Sequence, residues 1–173
     1  MLEEGQLDEA LENLQLADKI WLELNQTRKQ IETRAALAIV NLSLDNYQEA
    51  EAKIAEALAH VAELPQLTTS WRTVQFAAYQ VYAGTGRSTL AHHHLAQAAS
   101  ALEKITLNMP QSDQQRLYRS TLNRRIIDAL ATLSTQKTVQ LARHDAPRGR
   151  TLTPDELCTI TWTITSVTDD SIN

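Results

Sequence analysis

A unit of about 40 residues recurs along this chain, and it limits the possible folds more than any other feature. Gly5-Gln6-Leu7-Asp8-Glu9-Ala10-Leu11, followed by Leu14 and Ala17, aligns with Asp45-Asn46-Tyr47-Gln48-Glu49-Ala50-Glu51, followed by Ile54 and Ala57. Both align with Gly86-Arg87-Ser88-Thr89-Leu90-Ala91-His92, followed by Leu95 and Ala98. The central alanines Ala10, Ala50 and Ala91 lie 40 and 41 residues apart. Each stretch opens on a turn, reaches a small residue, then places an apolar residue and an alanine four and seven positions on. Those offsets share one face of a helix. Where two helices of a hairpin cross closely, an alanine lets the backbones approach while larger side chains pack above and below.

Composition agrees with packed helices. Hydrophobic residues make up 43% of the 173, enough for a core, while aromatics are only 5% and there are just 4 Gly and 4 Pro. An all-β sandwich needs more turns and more β-branched or aromatic strand residues than that. Five helices follow from apolar stripes. Leu7, Leu11, Leu14, Ala17 and Trp21 mark the first; Ile31, Ala35, Ala38 and Leu42 the second. Tyr47, Ala50, Ile54, Ala57, Val61 and Leu64 mark the third, Trp71, Val74, Ala78 and Val81 the fourth, and Leu95, Ala98, Leu102 and Ile105 the fifth. After Pro110, Ser112 or Asp113 is expected to cap a sixth helix running through Leu117, Ile126, Ile127, Leu130 and Leu133.

The repeat resembles the second half of the tetratricopeptide (TPR) motif, whose Gly-Asp-Tyr-x-Glu-Ala consensus is echoed by Asp45-Asn46-Tyr47-Gln48-Glu49-Ala50. The resemblance implies a first helix ahead of each turn, over 34–44 with Leu37-Ala38 at the large–small pair and over 71–83 with Ala77-Ala78 there. The second of these assumes one extra residue in the turn. The period exceeds the usual TPR length by about six residues, which longer helices accommodate, and Asn41 stands where an aromatic is usual. In TPR arrays the first helices line a concave groove that holds peptides or partner helices. Carried over by position, that groove comprises Glu32, Ile39 and Leu42 from one repeat and Arg72, Gln75, Tyr79 and Tyr82 from the next. The first stretch leaves no room for a preceding helix, so a piece of a longer protein is expected.

From 138 the pattern changes. Thr138-Val139-Gln140-Leu141-Ala142-Arg143 alternates, and Cys158-Thr159-Ile160-Thr161-Trp162-Thr163-Ile164-Thr165 alternates over eight residues. Both read as half-buried strands, joined by a Pro-bracketed loop over 144–156. The fold expected is therefore all-α, a TPR-like solenoid of antiparallel helix pairs with a C-terminal β-hairpin. Its parts are two and a half repeats over 1–107, a capping helix over 108–136, the hairpin over 137–168 and a frayed tail over 169–173. A two-stranded hairpin needs a face or an edge to pair with, so homodimerisation through it is part of this reading.

A narrower resemblance lies in 145–163. Asp145-Ala146-Pro147-Arg148-Gly149-Arg150-Thr151-Leu152-Thr153-Pro154-Asp155-Glu156 and Thr161-Trp162-Thr163, after such an array and an Arg-rich helix, are similar to a segment of large bacterial regulatory ATPases. The resemblance implies a sensor or scaffold segment of a cytoplasmic signalling protein, in which nucleotide binding belongs to another module.

Residues that carry chemistry are few. No Gly-x-x-x-x-Gly-Lys-Ser/Thr loop and no Gly-x-Gly-x-x-Gly occurs. His92-His93-His94 are consecutive, about 100° apart on a helix, so they do not converge on one ion. Cys158, the only cysteine, excludes an internal disulfide and reads as a core thiol. Asp155-Glu156 after Pro154 reads as turn chemistry. No catalytic residue, cofactor or metal is expected, and no apolar run approaches the roughly 20 residues that cross a bilayer. The net charge of −5 argues against a dedicated nucleic-acid binder. It is unevenly spread, with 13 acidic and 5 basic residues in 1–65 but Arg116, Arg119, Arg124, Arg125, Lys137, Arg143, Arg148 and Arg150 against three aspartates in 112–150. The expected function is a non-catalytic scaffold binding a protein, a peptide or other domains of a parent chain. The alternative is nucleic-acid contact through 112–150, and a small-ligand sensor or enzyme is a third reading without a supporting residue.

Overall fold

The computed structural model describes residues 4–64, 68–107 and 109–145. Among them every regular element is a helix: α1 (Glu4–Glu23), α2 (Thr27–Ser43), α3 (Tyr47–Ala62), α4 (Thr68–Gly84), α5 (Ser88–Thr106), α6 (Gln111–Tyr118) and α7 (Thr121–Asp145). None of the described helices is long and apolar enough to cross a membrane. Two compact units divide the chain, Met1–Ile126 and Ile127–Asn173.

In the first unit α1 packs on α2, α2 on α3 and α4, α3 on α4, and α4 on α5. The repeat explains this order. Ala38, Ala50, Ala57, Ala78 and Ala98 are fully buried and Ala91 nearly so, which places small residues where the backbones run closest. Ile31, Ile54, Val61, Val74, Val81 and Leu95 fill the layers between them. Five helices over 4–106 thus form as the stripes indicate, in an arrangement compatible with a helical repeat.

Three of the helix ends are the same device. Asn25 (φ 53°), Asp45 (φ 58°) and Gly86 (φ 78°) are left-handed residues that close α1, α2 and α4. In each, the following N–H reaches back five residues: Gln26 to Trp21 O at 2.9 Å, Asn46 to Asn41 O at 2.9 Å and Arg87 to Tyr82 O at 2.8 Å. The left-handed residue donates three back, to Leu22, Leu42 and Ala83. This is the Schellman pattern, which satisfies carbonyls that a helix end leaves bare. The next helix begins at once, its first bonds running from Gln30 to Gln26, Ala50 to Asn46 and Ala91 to Arg87. Asn41, at the aromatic position of the motif, suits its buried site by donating its amide to Leu37 O at 2.9 Å and accepting from Asn46 at 3.4 Å.

The expected single capping helix is two helices. Pro110, rather than Ser112 or Asp113, occupies the N-cap of α6. The break at 119–120 has no Gly or Pro; it is held by the buried Asn123, whose amide donates to Leu117 O at 2.7 Å.

The C-terminal β-hairpin is corrected. Residues 138–143, expected as its first strand, continue α7, and no strand occurs among the described residues. Extending a helix adds one hydrogen bond per residue fixed, without a new nucleus, and no Gly or Pro intervenes from 111 to 146. Within the second unit the hydroxyls of Thr132, Ser134 and Thr135 donate to the carbonyls four residues back at 2.9, 3.0 and 3.0 Å, so threonine and serine sit in this helix with their polar atoms satisfied. The second expected strand, 158–165, most of the 144–156 loop and the 169–173 tail lie outside the described residues.

Candidate functional site

A groove of about 340 Å³ lies in the first unit, bounded by α2, α4 and the first turns of α7. From α2 come Glu32, Ala35, Ala36, Ile39 and Val40; from α4, Thr73, Phe76, Ala77 and Gln80; from α7, Leu122 and Arg125. Its wall is mostly apolar: Ala36, Ile39, Val40 and Leu122 are half-buried, while Ala35, Phe76 and Ala77 are buried. The polar groups stand apart from one another in role. Glu32 accepts from Ser70 Oγ at 2.8 Å and from Arg28 Nε at 3.2 Å, which ties α2 to α4. Arg125 lies over the ring of Phe76, 5.4 Å from its centroid, a cation–π contact on an exposed residue.

Of the residues expected to face a partner, Glu32 and Ile39 line this groove. Leu42 packs against the core cluster and meets Gly84. Arg72 and Gln75 are buried. Tyr79 is half-buried, its ring centroid 5.6 Å from that of Phe76, and Tyr82 packs on the core. The reason is register. The turn after α4 contains no extra residue, because Arg87 N–H to Tyr82 O repeats Asn46 N–H to Asn41 O at a spacing of 41. The lining residues Thr73, Phe76, Ala77 and Gln80 accordingly stand 41 positions after Glu32, Ala35, Ala36 and Ile39. One residue turns a helix by about 100°, so the lining set and the expected set face different ways. Phe76, the chain's only Phe, and the Ala36/Ala77 pair were signals available in the sequence at that spacing.

Two of the residues displaced from the groove, Gln75 and Tyr82, meet His94 of α5. His94 Nδ1 donates to Gln75 Oε1 at 2.6 Å, and its ring stacks on Tyr82 with centroids 5.3 Å apart. Burial, and secondarily the neighbouring His93, pushes the His94 pKa below its ordinary value. Burial raises the phenol of Tyr82, with Glu51 adding to it and Arg87 opposing. Burial also lowers Arg72, which makes no ion pair with a described carboxylate and leaves Nε without a hydrogen-bond partner.

No group of three or more His, Cys, Asp or Glu among the described residues is placed to hold a metal ion. Of the basic segment, Arg116, Arg119 and Arg124 are exposed and Arg125 belongs to the groove; the side chains of Lys137, Arg143, Arg148 and Arg150 lie outside the described residues. The chain matches no protein-family model, no curated protein and no solved structure.

Proposed function

We propose that this chain is a non-catalytic protein-interaction scaffold, a TPR-like segment of a cytoplasmic regulatory protein, and that a peptide segment of a partner binds between α2, α4 and the start of α7. The observation that carries the reading is the groove lining: half-buried Ala36, Ile39, Val40 and Leu122, edged by a tethered carboxylate and an exposed guanidinium. The small Ala36 admits a partner backbone, the half-buried Ile39, Val40 and Leu122 supply apolar area, and the two opposite charges orient what enters. The 40-residue repeat and the Asp45–Ala50 motif support the TPR-like assignment. The Asp145–Glu156 stretch supports a place in a regulatory ATPase.

The test is selection of a random peptide library on the purified chain, followed by titration of the enriched peptides against Ala36→Trp and Gln80→Trp. Both positions are only partly buried and line the groove, so each substitution fills it. Enriched peptides should bind either variant at least tenfold more weakly, about 1.4 kcal/mol, and shift amide resonances of α2 and α4. No enrichment, or binding indifferent to both substitutions, overturns the reading.

A further inference from the structure

Outside the groove, α1 carries an apolar stripe that the described residues of the first unit leave exposed. Leu16, Ile20 and Leu24 are 58%, 41% and 57% exposed. Spaced by four, they follow one line along the helix, which Leu24 extends by donating its N–H to Ile20 O at 3.0 Å. The opposite side of α1 is engaged: the helix packs on α2, and Asp18 pairs with Arg34.

The repeat gives the stripe a meaning. Aligned on Ala10, Ala50 and Ala91, the positions of Leu16, Ile20 and Leu24 are those of Glu56 and His60 in α3 with Leu64 just beyond it, and of Gln97, Ala101 and Ile105 in α5. In α3 that face meets the preceding helix: Glu56 lies 3.5 Å from Arg34 of α2, His60 Nδ1 lies 3.4 Å from Arg34 Nη1, and Leu64 packs on the core cluster. In α5, which packs on α4, Ala101 is buried and Ile105 half-buried. The stripe on α1 is therefore the seat of a helix lying as α2 lies on α3, and unlike its counterpart in α3 it is apolar throughout.

The charge around it selects the occupant. Exposed Glu9, Glu12 and Glu23 border the stripe, with Lys19 the one base of α1. A second copy of the same face would set these carboxylates against one another in either orientation, whereas lysines or arginines would pair with them. We infer that the free face of α1 docks an amphipathic helix of a partner polypeptide, apolar along one stripe and basic along its flanks.

The probe is a labelled synthetic helix of 18 or so residues with a Leu/Ala stripe and Lys/Arg flanks, read by fluorescence anisotropy beside the same peptide with Glu flanks. The basic peptide should bind the chain, weaken as salt is raised, and outbind the acidic one at least tenfold. Leu16→Glu/Ile20→Glu, at exposed positions and checked for an unchanged thermal melt, should cost at least tenfold. Glu9→Lys/Glu12→Lys should reverse the preference for peptide charge. Ala36→Trp should bind as wild type, which separates this face from the groove. The inference is overturned if the basic peptide fails to bind, binds Leu16→Glu/Ile20→Glu equally, or shows no preference over the acidic peptide. It is overturned too if sedimentation finds a dimer that the same substitution dissolves, since the occupant is then a second copy.

Discussion

Arg34 of α2 holds Asp18 of α1, Nε to Oδ1 at 3.2 Å, with a side chain only 13% exposed. The same Nε lies 3.5 Å from Glu56 of α3, so one guanidinium joins three helices of consecutive repeats. Arg34→Met keeps the aliphatic stem and leaves Asp18, itself 21% exposed, without its cation. The expected cost is about 1–3 kcal/mol in urea unfolding, between the values for surface and for buried pairs. Glu56→Gln, at a 40% exposed site, should cost less than about 1 kcal/mol. Equal losses for the two would show that the link to α1 contributes nothing.

The three left-handed helix ends differ in how well their residues suit them. Gly86→Ala should lower stability by about 1–2 kcal/mol, from backbone conformation alone, since an added Cβ meets nothing within 4 Å. Asn25→Gly should move the other way, raising it by at most about 1 kcal/mol. Thermal unfolding of the two variants, compared with wild type, reads the opposite signs.

Stability should fall as the solution is acidified through the histidine range. The folded pKa of His94 is depressed by burial, so below the unfolded value near 6.5 the unfolded chain binds a proton that the folded chain resists. The loss begins near that value, grows as pH falls and levels off below the folded pKa. His94→Gln should flatten the dependence of the urea midpoint between pH 7 and 5. An unchanged slope would place the pH sensitivity elsewhere.

Ala50 is fully buried at a helix crossing, and Ala55 is exposed on the same helix. Ala50→Leu should destabilise by about 1–3 kcal/mol or more through overpacking, and Ala55→Leu should stay within about 0.5 kcal/mol. Circular-dichroism melts of both variants distinguish a crossing that needs a small residue from a helix that merely tolerates one.

The helices over 4–106 were legible because their signal is long: several apolar residues in register, repeated three times about the same alanine. The groove was not, because its identity rests on a single residue of spacing. Counting 40 between repeats selects Arg72, Gln75, Tyr79 and Tyr82; the backbone bonds at Asn41 and Tyr82 count 41 and select Thr73, Phe76, Ala77 and Gln80. Residues 138–143 misled for a different reason. Six alternating residues fit a strand, but so brief a pattern is weaker than the tendency of an established helix to continue. The break between α6 and α7 left no local trace, because it depends on Asn123 reaching Leu117, a contact only the folded chain makes.

The nearest-neighbour packing of α1 to α5 also shapes how this array opens. Among α1 to α5 each close helix contact joins elements one or two apart in the chain, so little loop entropy opposes its formation, and folding of these five is expected to be fast for their length. Protection is then graded by position rather than shared. α4, packed on α2, α3 and α5, anchors the interior, while α1, resting on α2, is the first to fray. A helix seated on the bare stripe of α1 would move that fraying end one place outward, turning the least protected helix of the array into an inner one.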